Sequence, residues 1–136
     1  MSVVAELIQT EDNGSLSFGN YELGAKAKLD NYEVGGDLYK VKTYGDITKL
    51  EKNGLFVYES VPGTAVHQFM ADESGVSFLV EAAKDCQITL ELEENQEYTV
   101  TVDGAVLGQF KTNRGGKLSL SLEVEAGKGQ TVTIRK

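Results

Sequence analysis

Apolar and polar residues alternate from Cys86 to the C-terminus with hardly a break, and this alternation restricts the segment to strands. Ile88, Leu90 and Leu92 would fall on one side of such a strand, with the intervening polar residues on the other. The same period of two returns in three later segments, 98–102, 118–124 and 132–134. Successive side chains of a strand project to opposite faces, so this period requires strands with one buried and one wet face. The sequence therefore predicts antiparallel β-sheet.

Turn sequences that contain glycine separate the alternating segments at short intervals. Asn53-Gly54 and Asp103-Gly104 are the strongest hairpin signals, because these residues tolerate the positive φ angles of two-residue turns. Turns spaced by about 8–12 residues are typical of a sandwich or barrel. We therefore expect an all-β, antiparallel β-sandwich, and we expect residues 23–29, which also alternate, to form one of its strands.

The length of 136 residues and the position of the only proline bear on domain organisation. Pro62 follows a strand candidate over residues 55–61, and two interpretations stay open. It marks either a boundary near 61–63, between an N-terminal β-module (1–60) and a C-terminal seven-strand module (64–136), or a turn inside one unit spanning 1–136. We favour the single β-sandwich unit, because the first sixty residues contain too few clean strands to close a core alone.

The charge is acidic throughout, with 21 acidic and 13 basic residues and a net charge of −8. Residues 1–70 and 71–136 each carry −4, so the sequence indicates no basic stripe within the acidic whole. Only two arginines occur, and we expect no nucleic-acid partner. The N-terminus lacks the basic and apolar regions of a secretion signal, and no apolar run reaches the ~20 residues of a membrane helix. We expect a cytoplasmic protein without a membrane partner.

Residues 90–102 carry a local resemblance. An alternating strand ends near Leu92, a short polar loop follows, and Tyr98 stands at the start of the next strand with Val100 behind it. This order resembles the E–F corner of fibronectin type III and immunoglobulin-like sandwiches, in which a corner tyrosine bonds back to the backbone. The resemblance implies structural roles for Leu92, Tyr98 and Val100. The segment departs from the family in having Glu94 where proline is common, and the chain contains no tryptophan.

Residues 102–120 are similar to the closing hairpins of β-sandwich modules at the ends of bacterial polysaccharide-degrading enzymes. The chain also resembles short proteins labelled as endosialidase subunits. A sialidase needs an arginine cluster for the substrate carboxylate, and Arg114 and Arg135 are the only arginines available. The resemblance therefore implies an accessory partner of a catalytic protein rather than the catalyst.

Candidates for catalysis are few. His67 is the only histidine, and no Gly-x-Ser-x-Gly motif accompanies it. Glu91 and Glu93 have the strand spacing that suits paired glycosidase carboxylates, although glutamates on the wet face of an acidic sheet give the same spacing. We predict no catalytic residues. A small glycan-active hydrolase that uses His67 or the glutamate pair is the alternative.

Metal ligands are equally scarce. Cys86 is the only cysteine and, with His67, supplies too few ligands for structural zinc; we interpret it as a buried thiol. Two loops, 12–14 and 72–73, are rich in oxygen donors that calcium favours, but neither has the EF-hand pattern. We expect neither a metal nor a cofactor.

Tyrosines concentrated in the N-terminal half provide the remaining indication of function. A tyrosine ring combines a flat apolar face with a polar tip, which suits stacking against a sugar. We predict a non-catalytic binding or assembly module whose ligand is a protein or a glycan. A homo-oligomer formed through an exposed strand is a further interpretation. The predicted binding residues are Tyr32, Tyr39, Tyr44 and Tyr58.

Overall fold

A computed structural model describes residues 3–136 as thirteen strands in two antiparallel sheets that pack face to face. The prediction of an all-β, antiparallel sandwich is confirmed. No helix long and apolar enough to span a membrane occurs in these residues. The strands are β1 (Ile8–Thr10), β2 (Leu16–Phe18), β3 (Ala27–Val34), β4 (Asp37–Tyr44), β5 (Ile47–Lys52), β6 (Leu55–Val61), β7 (Thr64–Asp72), β8 (Gly75–Ala82), β9 (Cys86–Glu91), β10 (Glu97–Val102), β11 (Ala105–Lys111), β12 (Lys117–Leu122) and β13 (Gln130–Arg135).

Both sheets combine strands from the two sides of Pro62. The seven-stranded sheet has the order β1-β2-β7-β8-β13-β10-β11, and the six-stranded sheet has the order β12-β9-β6-β5-β4-β3. Pro62 lies in the corner where the chain leaves β6 of one sheet and enters β7 of the other. A division near 61–63 would therefore cut through the pairing of both sheets.

The strand expected over residues 23–29 begins only at Ala27. The residues before it form a turn, in which the Asn20 side chain accepts a hydrogen bond from the Glu22 amide at 3.0 Å. The Leu23 carbonyl then accepts a bond from the Gly45 amide at 3.0 Å. A side chain that bonds its own backbone two residues on favours a turn over a strand, so the alternating pattern was misleading here.

The inward-facing apolar residues of the alternating strands form the core between the two sheets. Ile88 and Leu90 of β9 are buried as their alternation predicts. Cys86 is buried at the start of the same strand, and burial raises the pKa of its thiol to about 11. Four rings meet edge-on or stacked at the centre, with centroids 5.3–6.4 Å apart: Phe18, Tyr58, Phe69 and Phe78.

A chain of buried hydroxyls closes one end of the sandwich. The Thr43 and Thr48 hydroxyls are 2.8 Å apart, and the Thr48 hydroxyl donates to the Thr64 carbonyl at 2.9 Å. The Tyr58 and Ser60 hydroxyls lie 2.8 Å and 2.9 Å from the Thr64 hydroxyl. Because Thr64 begins β7 and the other four residues belong to β4, β5 and β6, these bonds connect the two sheets.

Each hydroxyl has a single proton, and this determines which group donates and which accepts in these bonds. Thr48 has one hydroxyl proton, which goes to the Thr64 carbonyl, while its oxygen accepts the Thr64 amide at 3.0 Å. Thr43 must therefore donate to Thr48, and its own oxygen accepts the Asn20 amide at 2.9 Å. Thr48 is thus bonded as both donor and acceptor in a dry environment, where unpaired polar groups are costly.

We predict that Thr48→Val lowers the free energy of unfolding by about 2 kcal/mol, because it leaves the Thr64 amide and carbonyl buried without their partner. Valine has nearly the same shape, so the loss reflects hydrogen bonding rather than a cavity. Thr89→Val is the matched control, since the Thr89 hydroxyl bonds Ser119 at 3.0 Å on the exposed face. Urea denaturation of both variants measures the difference; equal midpoints would contradict the prediction.

Tyr98 lies at the corner between β9 and β10 and makes the bond that its position in the sequence suggests. Its hydroxyl accepts the Glu93 amide at 3.2 Å, and the tyrosine is buried. Val100 is also buried, and Leu92 packs against the core. Thr112 strengthens the corner by donating to the Glu93 carbonyl at 2.5 Å. The thirteen strands exceed the seven to nine of immunoglobulin domains, and membership of that class stays a prediction.

Candidate functional site

The end of the sandwich opposite the hydroxyl chain opens into a groove of about 360 Å³. Side chains from both sheets form it. Asn13, Lys52 and Glu91 add polar groups to a lining that is otherwise mainly apolar. This size and mixture are typical of pockets for small ligands. The apolar walls come from Leu16, Val34, Tyr39, Val57, Phe69 and Met70.

Two irregular strands shape this groove. The register of β7 with β2 and β8 shifts after His67, where Gln68 has a φ of 54°, and Phe69 lies in the core with 9% of its surface exposed. In β6 the register shifts beside Val57, which packs against the core. An extra residue in a strand re-aims the side chains that follow it. These two bulges therefore bring Val57 and Phe69 into the groove lining.

Two of the four predicted tyrosines lie at this end. Tyr39 lines the groove and is half-buried. Tyr32 is its direct cross-strand partner in β3 and packs against the core. The Tyr32 hydroxyl is 3.0 Å from the Thr10 hydroxyl of the other sheet, which fixes the ring beside Tyr39. The structure thus brings Tyr32 and Tyr39 together.

The other two predicted tyrosines lie elsewhere. Tyr44 is at the far end of β4, on the outer face, with the Lys26 Nζ 5.9 Å from its ring centroid. Tyr58, predicted as a binding residue, is fully buried, and burial raises the pKa of its hydroxyl. Its ring packs 6.4 Å from that of Phe69, behind the groove. Tyr58 therefore supports the groove without offering a surface to a ligand.

The residues of the alternative hydrolase hypothesis are divided between the two sheets, and the glutamates form ion pairs. The Glu91 carboxylate contacts the Lys117 Nζ at 2.5 Å, and the Glu93 carboxylate contacts the Lys136 Nζ at 2.7 Å. His67 is half-buried in β7, opposite Leu79 of β8, and so belongs to the other sheet. The two glutamates each have a lysine partner of their own rather than a shared site.

In the loops considered for calcium, the Asp72 carboxylate and the Asn13 amide oxygen accept bonds from their own loops. Asp72 accepts bonds from the Ser74 amide and hydroxyl at 2.8 Å and 2.7 Å, and these bonds hold its pKa below the usual value. In the first loop, Asn13 accepts bonds from the Ser15 amide and hydroxyl at 3.1 Å and 2.6 Å. Across residues 3–136, no three His, Cys, Asp or Glu side chains are grouped so as to hold a metal ion.

Strand pairing creates a basic patch that the sequence did not indicate. Lys28, Lys42 and Lys49 stand side by side on the outer face of β3, β4 and β5, because Lys28 pairs with Lys42 and Lys42 pairs with Lys49. With Lys40 and Glu51 they line a cavity of about 260 Å³. We call Lys28, Lys40, Lys42 and Lys49 the lysine cluster. The expectation of no basic stripe was wrong, since a count along the chain cannot register residues that meet by pairing.

The lysine cluster has few acidic partners. Lys40 is paired with Glu51 and Lys49 with Glu59 across the strands, and the Lys40 Nζ is 4.0 Å from the Asp30 carboxylate. Within the described part of the chain, no carboxylate lies within 4.0 Å of the Nζ of Lys28, Lys42 or Lys49. Like charges directly opposite each other destabilise a sheet. The cluster is therefore a local cost to the fold.

We predict that Lys42→Glu raises the free energy of unfolding by about 0.5–1 kcal/mol, because it replaces two like-charge pairs by two opposite-charge pairs. Lys84→Glu is the control: it makes the same change in net charge at an exposed loop position. Thermal denaturation at low and high salt measures both. The gain of Lys42→Glu should shrink as salt screens the charges. An equal effect of the two substitutions would argue against the cross-strand repulsion.

A shallow polar shelf connects the groove to the lysine cluster. Its cavity of about 290 Å³ shares Tyr39 with the groove. It shares Lys40 and Glu51 with the cavity that the lysine cluster lines. Asn31 and Asn53 also line it. The Asn53 side chain is held by the Leu38 amide at 2.9 Å and by the Asp37 carboxylate at 3.0 Å. Groove, shelf and lysine cluster thus form one track around the Tyr39–Lys40 segment of β4.

Searches against family models, curated proteins and solved structures found no match to this chain.

Proposed function

We propose that this protein is a non-catalytic binding module for a glycan, which occupies the groove at Tyr39 and extends along the shelf. The observation that carries the proposal is the shared position of Tyr39 in two adjoining cavities. Sugars present apolar faces and hydroxyl-bearing edges in alternation. A half-buried aromatic ring beside amides and charged groups suits both features.

The length of the track supports a chain-like ligand over a compact apolar one. The groove continues onto a shelf that is open to solvent and lined by Asn31, Lys40, Glu51 and Asn53. Amide and charged side chains of this kind donate and accept hydrogen bonds to hydroxyls. An apolar molecule would gain nothing from the shelf, whereas successive sugars of an oligosaccharide would contact it.

The resemblance to β-sandwich modules of polysaccharide-degrading enzymes points in the same direction. It is carried by residues 102–120, which directly follow the segment 90–102 with its fibronectin-like corner bond from the Glu93 amide to the Tyr98 hydroxyl. Such modules hold a substrate while another protein or domain acts on it. We infer a similar accessory role here.

A pair of tyrosine substitutions tests the proposal. After a glycan array identifies a ligand, we expect Tyr39→Ala to weaken its binding at least tenfold, about 1.4 kcal/mol, because the central aromatic contact is lost. Tyr44→Ala removes the same side chain from the far end of β4 and should leave the affinity unchanged. Calorimetry measures both. No binding to any glycan, or equal losses in the two variants, would overturn the proposal.

A second function, self-association, is favoured by the edge strand β11. This strand pairs only with β10, and Val106 and Leu107 are 69% and 51% exposed at its beginning. The register of β11 with β10 shifts at Leu107, so a second copy would be held by contact between these exposed apolar side chains rather than by continuous strand pairing.

We expect Val106→Lys to abolish a dimer formed in this way, because it places a charge in the apolar contact. Light scattering over a range of protein concentrations measures the mass, with Val61→Lys as the control at an exposed valine of the other sheet. A monomer at all concentrations would exclude this function and leave the glycan proposal unaffected.

A further inference from the structure

The lysine cluster stands at the far end of the track, and its four lysines outnumber their acidic neighbours Asp30, Glu51 and Glu59. It brings together four of the eleven lysines of a chain whose net charge is −8. Glu51 is the only acidic residue in the cavity lining, and three of the four lysines have no carboxylate within 4.0 Å among residues 3–136. A repulsive arrangement that weakens the sheet calls for a compensating role, and an anion would supply it.

We propose that the glycan is an acidic polysaccharide, whose carboxylate, sulfate or phosphate groups bind to Lys28, Lys42 and Lys49 while a neighbouring sugar contacts Tyr39. This inference rests on the proposed function and adds the charge of the ligand to it. Lys40 and Glu51 border both the shelf and the lysine cluster, so a ligand chain can pass from one to the other without leaving the surface.

The dimensions of the sheet agree with a ligand of several sugar residues. Neighbouring strands lie about 4.8 Å apart, so Lys28 and Lys49, two strands apart, are separated by about 10 Å. Tyr39 and Lys42 are about 10 Å apart along β4, but their side chains are on opposite faces of the sheet, so a ligand that reaches both must bend around the end of the sheet at the shelf. A single inorganic anion would engage part of the lysine cluster, whereas an acidic chain would reach both the lysine cluster and Tyr39.

Nucleic acid fits this surface less well. Single-stranded nucleic acids need open aromatic rings for base stacking beside the basic groups. The rings near the lysine cluster are already paired with lysines: the Nζ atoms of Lys49 and Lys117 lie 6.0 Å and 4.4 Å from the Phe56 centroid. The acidic remainder of the molecule would also repel a long, densely charged backbone.

The experiment measures binding of immobilised dextran, dextran sulfate and polygalacturonate to the full chain at several salt concentrations. We expect the two acidic polymers to bind more tightly than dextran, and this preference to fall as salt rises. The double variant Lys28→Gln/Lys42→Gln should weaken binding to the acidic polymers about tenfold. The matched control Lys84→Gln/Lys111→Gln removes two exposed lysines elsewhere and should leave binding within twofold.

Thermal denaturation checks that both double variants stay folded. Equal binding of the two variants, or no preference of the unsubstituted chain for the acidic polymers, would overturn this inference. If neutral glycans still bind through Tyr39 in that case, the proposed function stands. Tighter binding of oligothymidylate or polyglutamate than of either acidic polysaccharide would also overturn the inference, because it would show a surface selective for another polymer. Loss of all glycan binding would overturn both proposals.

Discussion

The bond between the Thr48 hydroxyl and the Thr64 backbone is the interaction on which the rest of the structure depends. It joins β5 of one sheet to β7 of the other at the corner beside Pro62. Hydrogen bonds demand a fixed distance and direction, whereas apolar contacts between sheets allow sliding. The hydroxyl chain therefore fixes how the two sheets are aligned at one end. The sheets remain far enough apart at the other end to leave the groove.

The groove and the lysine cluster, which we propose bind the ligand, differ from the remainder of the fold. The buried centre of the sandwich follows the rule that apolar residues face inward and polar groups are paired. The track departs from this regularity twice, through bulges that interrupt the strand pairing beside the groove and through lysines that oppose one another in the sheet. Departures that cost stability are expected where a protein meets its ligand.

The sequence predicts the sandwich, because alternation is a local property that each strand carries by itself. Tyr98 could be assigned to a corner for the same reason: its bond partner, Glu93, is five residues away. The basic patch could not be predicted, since Lys28 and Lys49 become neighbours only through their separate pairing with β4. The burial of Tyr58 was also hidden, because the bulge beside Val57 disturbs the alternation of β6.

The edge strand β3, which supplies Lys28 to the lysine cluster, is interrupted in its pairing with its only neighbour. In β3 the pairing with β4 is interrupted at Asp30 and Asn31, where Asn31 has a φ of 57°. A kinked edge with a charged residue at the interruption is a poor template for continuous strand addition. We therefore expect this flank of the molecule to resist fibril growth, even if many copies are crowded together on a bound polymer.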